Sequence, residues 1–530
     1  MSHVTTRYFC KGVLGAAAAA ALSLPAMAQD PVDGGTLNII INPEPPILML
    51  GINQQGPTQA VAGKIYQSLL TYSKELEPQP SIATDWEMSE DGLTYTFTLE
   101  EGVTWHDGEP FTAADVVFSY DDFLPETHPR WRNVHNRLAS IEAPDDHTVV
   151  FTMEEPFPAF LMSFSVDNAP LIPKHIYEGT DYLDNEANQT PIGTGPFKFE
   201  EWNRGSYIHL VRNDDYWKDG LPHLDEIYFH VIPDAASRAA AVETGQVHMS
   251  RAEDIEFFDV PRLAGMPNLE MTTEGWEMYG PLGWLEFNTR VEPIDDVRFR
   301  KAVMHALDRD FIVENIFFGL GNPATGPINS ATLFQDPDAL VEYDYNLDRA
   351  NELLDEMGLE PGDDGVRVSL RLLPLPYGET WDRLAEYTRQ QLSEIGVDAE
   401  IEAADAGTWA ERVADWDYDM TFNYLYQFGD PAIGVSRSYI SDNIRRTLFT
   451  NTMGYENERV DELFNLAAGE VDPEKRQEYY SEVQQILTDE LPVAWLIELG
   501  FPTIYDTRVH NAVTTAIGTN ETYDDVWIEE

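Results

Sequence analysis

The stretch TWHDGEPFTAADVVFSY, Thr104 to Tyr120, sets a histidine beside an aspartate on a glycine turn just ahead of an apolar run. A His-Asp pair invites a reading as acid–base chemistry, yet every residue here has a local structural use. Asp107-Gly108 is a turn signal. Thr112 is a helix N-cap, Asp115 three residues on is its acidic capping partner, and Phe111 with Val116 fits a hydrophobic staple. No nucleophile and no third partner accompany His106 and Asp107, so the stretch reads as a turn entering a capped helix. Just before it, Leu93 to Leu99 alternates Leu, Tyr, Phe and Leu with three threonines, the pattern of a half-buried strand. Glu100-Glu101-Gly102 turns that strand, and Val103 and Trp105 are expected to start its return partner.

At the N-terminus, Arg7 and Lys11 precede an apolar run from Val13 to Leu24 and then Pro25-Ala26-Met27-Ala28. That is the three-part pattern of an export signal with an A-x-A site, which predicts cleavage after Ala28. The apolar run is too short to span a bilayer. Cys10, the only cysteine, falls in the segment to be removed and outside any lipid-attachment box. The mature chain is therefore expected to lack thiol chemistry, disulfides and a lipid anchor. About 500 residues remain, enough for two to four domains.

The chain carries 93 acidic against 33 basic residues, a formal net charge of −60. Such a surface repels nucleic acid and anionic membrane, and the basic stretches that either requires are missing. The acids are spread along the chain, in turns and on helix faces. This fits either adaptation to high salt, where a Debye length of about 3 Å at 1 M screens the self-repulsion, or an ordinary exported protein of unusually acidic composition.

Thr36 to Ile41 is a β-rich run that ends at Asn42-Pro43-Glu44-Pro45-Pro46, placing Glu44 on a loop at a strand end, where ligands of α/β sheets tend to bind. Gly193 to Phe199 is a tight turn into a strand, followed by a second strand from Tyr207. It lacks the third glycine of a dinucleotide loop and leads into no helix. Residues 296 to 319 read as helices interrupted at Asp308 to Asp310. Helices are predicted over 347–357, 381–395, 460–468 and 474–487, with strands over 366–373 and 397–401, so the C-terminal half alternates as an α/β domain does. No His-Glu-x-x-His, Gly-x-Ser-x-Gly or phosphate-binding loop is present, and Gly434-Val-Ser-Arg-Ser438 fails at the last glycine of a serine elbow.

Several stretches together resemble one family: IYQSLLTYSKELEPQPSIATDWEMSEDGLTYTFTLEEGVTWHDGEPFTAADVVFSY, then PIGTGPFKFEEW with RNDDYW, then VRFRKAVMHALDRDFIVENIFFGLGNPATGPI, and LTDELPVAWL. In this order they are similar to the family 5 solute-binding proteins of ABC importers, which include dipeptide, oligopeptide and nickel binders. The resemblance implies an α/β, periplasmic-binding-protein-like fold of two lobes and a hinge, with an extra inserted domain. Residues 29–60, 196–283 and 499–530 would form lobe I, 61–195 the inserted domain and 284–498 lobe II, with the hinge near Trp284 and Glu498. It also implies a periplasmic monomer that encloses a small polar solute, delivers it to a membrane permease, needs no cofactor and makes or breaks no bonds.

The family's ligand anchors carry over only where residues match. Tyr424 takes the place of an aromatic in the peptide binders, but Gln427 stands where their amine-holding aspartate would be, and Leu375 precedes Pro376-Tyr377 where the dipeptide type has an arginine. Both ionic anchors of a dipeptide are absent. Asp430, Glu44, Trp284 and Arg437 complete the candidate set: Asp430 for a cation, Glu44 for peptide backbone, Trp284 for stacking and Arg437 for an anion. A peptide-like or other polar organic solute is the leading reading. An oligosaccharide or opine-type receptor and a secreted hydrolase with two carboxylates stay open as alternatives, while nickel is disfavoured by the absence of histidine from the aligned runs.

Overall fold

The computed structural model describes residues 30–529; the export signal and its cleavage point lie outside the described residues. Two large sheets carry the molecule. One has seven strands, in the spatial order Leu269–Thr272, Thr503–Asp506, Met249–Ser250, Thr36–Ile41, Glu226–Val231, Tyr207–Arg212 and Phe197–Asn203. Thr36–Ile41 lies at its centre and runs parallel to Glu226–Val231 and Met249–Ser250, the remaining pairs being antiparallel. Leu37, Ile39, Ile40 and Ile41 are all buried, the near-continuous apolar run of a strand covered on both faces.

The second sheet has six strands, in the order Gly321–Pro323, Val493–Leu499, Leu282–Phe287, Met420–Leu425, Val368–Leu373 and Val397–Ile401. Two adjacent inner strands, Leu282–Phe287 and Val493–Leu499, are buried at every position. Helices Val297–Ala306, Leu347–Glu356, Glu379–Ser393, Glu458–Gly469 and Pro473–Glu490 accompany this sheet. The chain passes between the two sheets twice, through residues 273–281 and 500–502. Trp276 on the first crossing and Phe501 on the second touch, with ring centroids 4.8 Å apart.

A third, four-stranded antiparallel sheet, in the order Ala83–Met88, Thr94–Leu99, Thr148–Met153 and Leu138–Asp145, belongs to the inserted domain. Thr94–Leu99 buries its Tyr, Phe and Leu, as its alternation requires. Its neighbours are Ala83–Met88 and Thr148–Met153, so Val103 and Trp105 do not form the return strand expected of them. That segment makes only the isolated bridge Thr104 to Pro110, because Gly108, at φ +90°, donates to Trp105 O (2.8 Å) and closes a tight turn instead. Beyond it, Asp115 accepts from Thr112 N at 2.9 Å, and helix Ala113–Val117 starts there, with Phe111 and Val116 both buried.

His106 is built into this turn. Its Nδ1 accepts from Gly193 N (3.3 Å) and its Nε2 donates to Gly195 O (2.9 Å), which fastens the Gly193–Phe199 turn to the inserted domain. Burial pushes the imidazole down to about 4, which keeps it neutral and suits one donor and one acceptor nitrogen. Asp107 pairs with His175 Nε2 at 2.8 Å.

Candidate functional site

The three parts of the molecule meet around a small cavity of about 70 Å³. Gln54 and Gln59 come from the segment around helix Gly56–Ala62, Arg130 from helix Pro129–His135, and Arg251 from the end of strand Met249–Ser250. Trp276 and Tyr279 come from the first crossing, Tyr426 from just past strand Met420–Leu425, and Asn520 from the C-terminal region. The volume is well below the range typical of small-molecule sites, and its lining mixes aromatic rings with a few polar groups.

Several of its polar atoms lack partners. Arg251 is 6% exposed, makes no ion pair among the described residues, and its Nε has no hydrogen-bond partner. Gln54 Nε2 and Asn520 Oδ1 are likewise buried and unsatisfied. Asp167 Oδ1 is also unsatisfied, and this carboxylate lies alongside the cavity, its Oδ2 3.5 Å from both Gln59 Nε2 and Arg130 NH2. Buried polar groups in folded proteins are nearly always bonded, so such a cluster marks a place where a polar molecule completes the structure. The Arg251 guanidinium feels the carboxylates of Glu253 and Asp254 but makes no direct ion pair with either, so an anion in the cavity would further offset the cost of its burial.

Glu253, two residues past Arg251, adds the opposite charge. Water reaches its side chain, yet protein surrounds it, and desolvation pushes its carboxyl up to about 7; nearby Arg251 opposes that rise, while Asp254 and Glu256 add to it. Its charge is felt by the hydroxyls of Tyr377, Tyr424 and Tyr426 across the cleft. The cavity therefore presents a cationic group and aromatic rings, with an acid, Glu253, nearby outside its lining.

Of the residues singled out from sequence, Tyr424 stands at the cavity margin, stacked on Trp381 at 5.8 Å and set edge-on to Tyr426 at 5.9 Å. Arg437 lies in an adjoining groove, where it donates to Tyr426 O at 3.0 Å. The other four are engaged internally. Asp430 is 1% exposed, caps the turn at Ala432 N and takes both oxygens to Arg476 NH2 at 2.9 Å. Gln427 donates to Pro327 O and accepts from Asn329 N, fixing the 327–332 loop. Glu44 accepts from Trp202 Nε1 (2.8 Å) and Gly205 N (3.0 Å), closing the turn between Phe197–Asn203 and Tyr207–Arg212. Trp284 is 3% exposed within the six-stranded sheet, its Nε1 3.4 Å from Glu286. Each of these four makes hydrogen bonds within the protein and contributes nothing to the cavity lining. Sequence reasoning missed Arg251, Arg130, Tyr279 and Asn520, because they come from four distant segments and have no spacing in common. The one available signal was Arg251 itself, a lone cation at a strand end in an acidic chain. Among the described residues no group of three or more His, Cys, Asp or Glu is placed to hold a metal ion, and no helix is long and apolar enough to cross a membrane.

This architecture, two lobes and an inserted domain closing on a polar cavity, is that of a solute receptor. The model for "Bacterial extracellular solute-binding proteins, family 5 Middle" matches residues 77–445, and the chain belongs to that family. It is 30% identical over 442 residues to the glutathione-binding protein GsiB of Salmonella typhimurium, covering 82% of this chain and 83% of that one. Among solved structures it is similar to the ABC transporter substrate-binding protein CtaP of Listeria monocytogenes (27% identity, TM-score 0.83, 94% of this chain and 100% of that one). It is also similar to the periplasmic binding protein DppA of Helicobacter pylori in complex with the peptide STSA (25% identity, TM-score 0.77, 94% and 99%). The protein is a non-catalytic, periplasmic-type receptor that holds a small polar solute between its lobes for an ABC permease.

Proposed function

We propose that the solute is a short peptide or peptide-like molecule with an acidic group, seated in the cavity with that group on Arg251. The observation that carries this reading is the buried, unpaired Arg251 among unsatisfied Gln54, Asn520 and Asp167. Glu253 supplies a partner for an amine, replacing the family anchor whose place Gln427 occupies, while Tyr279, Tyr424 and Tyr426 pack against the body of the solute. The glutathione-binding and peptide-bound relatives support a peptide-like ligand.

Residues 29–60, 196–283 and 499–530 act as lobe I, 61–195 as the inserted domain and 284–498 as lobe II. Closure bends the crossings at 273–281 and 500–502, since a hinge needs only a few residues to absorb the dihedral change. The chain is exported by the signal ending at Ala28, carries no lipid anchor and works as a monomer. Mass spectrometry of the compound that co-purifies, followed by calorimetry with it, tests the reading: Arg251→Gln should weaken binding at least 100-fold. A neutral sugar as the co-purifying compound, bound equally by the variant, overturns it.

A further inference from the structure

A second cavity adjoins the first through Arg130, and it is basic. It opens between the inserted domain, which contributes Arg130, Arg137 and Phe157, and the segment after strand Met420–Leu425, which contributes Phe428, Arg437 and Arg445. In a chain with 93 acids and 33 bases, an arginine should find a carboxylate easily. Most do: even exposed Arg349, Arg383 and Arg459 are paired. Among the described residues Arg137, Arg437 and Arg445 have no carboxylate in ion-pair contact, and Arg130 meets only Asp167, at 3.5 Å. Arg437 gives Nε to Gly434 O and NH2 to Tyr426 O, leaving NH1 without a protein partner. Arg445 gives only Nε, to Asp442 O. The guanidinium of Arg137 rests over Phe157, and those of Arg130 and Arg437 lie 4.7 and 5.6 Å from the centre of the Phe428 ring. Phe428 itself is held at φ +52°, a backbone state uncommon for a bulky side chain.

Two like charges brought to one ring, one of them half-buried, repel each other and lose hydration. Desolvation pushes Arg437 down to about 10, and the positive charge of Arg130 lowers it further. Asp167 answers Arg130 only at 3.5 Å and, among the described residues, no carboxylate pairs with Arg437, and guanidinium forks are the side chains best suited to holding carboxylate or phosphate oxygens. Arg130 lines both the groove and the inner cavity, and Tyr426, which lines the cavity, takes a hydrogen bond from Arg437.

We infer that this groove holds a second acidic group of the same solute, so that the ligand class is an elongated polar molecule with two acidic groups, one on Arg251 and one on the Arg130, Arg437 and Arg137 cluster. The inference rests on the cavity reading above and adds the length and charge of the ligand. Neutralising the inner anion alone would leave the groove empty and its arginines unpaired. A separate inorganic anion could satisfy the groove by the same chemistry, and the test separates the two sources.

Calorimetry on the whole exported protein compares glutathione, which has two carboxylates, with its glycine ethyl ester, which has one, each with and without 10 mM phosphate. The same titrations are run on Arg437→Gln/Arg137→Gln and on Arg251→Gln. The inference predicts that glutathione binds at least tenfold tighter than the ester, that the double variant removes this difference, and that phosphate competes with neither binding event by more than the ionic-strength effect. Equal binding of acid and ester, unchanged in the double variant while Arg251→Gln still abolishes both, overturns the groove assignment and leaves the cavity reading standing. Phosphate that binds the groove and leaves the acid-to-ester ratio at one identifies a separate anion and also overturns it. If neither compound binds the wild type, the peptide-like reading fails and this inference falls with it.

Discussion

Arg251 and Asp430 show how little a residue's type says about its role. Both are charged and buried, yet Asp430 is paired with Arg476 and Arg251 is paired with nothing. Breaking a buried pair leaves the surviving charge uncompensated, so Asp430→Ala should cost about 3–5 kcal/mol in urea unfolding. Replacing both partners together by apolar residues should recover most of that loss. Arg251→Gln should behave in the opposite way: without ligand its melting temperature should equal or exceed that of the wild type, because a strained binding group has been removed, while stabilisation by ligand disappears. Glu253 sets a pH dependence. It faces Arg251, Asp254, Glu256 and the hydroxyls of Tyr377, Tyr424 and Tyr426, and desolvation raises its carboxyl toward 7, an effect its solvent exposure weakens. Affinity for an amine-bearing solute such as glutathione should therefore rise between pH 6 and 8, and Glu253→Gln should flatten that rise in calorimetry.

Individual segments are where local chemistry meets tertiary demand. The turn at His106 is a rivet between the inserted domain and the Gly193–Phe199 turn, and its energetic signature is pH-dependent. The unfolded histidine takes a proton near pH 6.5 and the folded one only near 4, so the unfolded chain binds more protons between those values. The stability that neutral His106 provides is therefore present above pH 6.5 and lost as pH falls to 4. Glu253 acts in the reverse sense, its contribution falling as pH rises from 4.5 to about 7, so the wild-type profile partly cancels. The difference between wild type and His106→Gln isolates the histidine and should amount to on the order of 2 kcal/mol between pH 7 and pH 4. In the first crossing, Gly275 sits at φ +87°, and a Cβ there would lie 2.6 Å from Gly518 Cα. Gly275→Ala should lower thermal stability and slow ligand association in stopped-flow fluorescence, since the strain falls on the segment that must bend.

For the molecule as a body, the expected output is closure. Small-angle scattering should show a smaller radius of gyration once the solute saturates the protein, and the same change should be missing in Arg251→Gln. The −60 charge acts over the entire surface at once. Self-repulsion of that size is relieved by screening, so the melting temperature should climb as sodium chloride is raised from 0.05 to 2 M.

Strand Thr36–Ile41, the alternating strand ending at Leu99, the capped helix after Thr112 and the helices of the C-terminal half were readable along the chain, because periodicity, capping and turn chemistry act over a few residues. The family and its two-lobed fold followed from long ordered motifs. The failure at Val103 and Trp105 has a different origin: a glycine turn and a return strand look alike until the sheet has chosen its neighbours. The binding site was hidden for the same kind of reason. Gln427, Asp430, Glu44 and Trp284 stand in suggestive runs, but whether a polar group faces a solute or an Arg476 arriving from a helix 46 positions away is settled only when the chain is folded. Arg251, Arg130, Tyr279 and Asn520 came to line one cavity because three bodies converge there, and desolvation, which gives a buried charge its meaning, does not exist in a linear string.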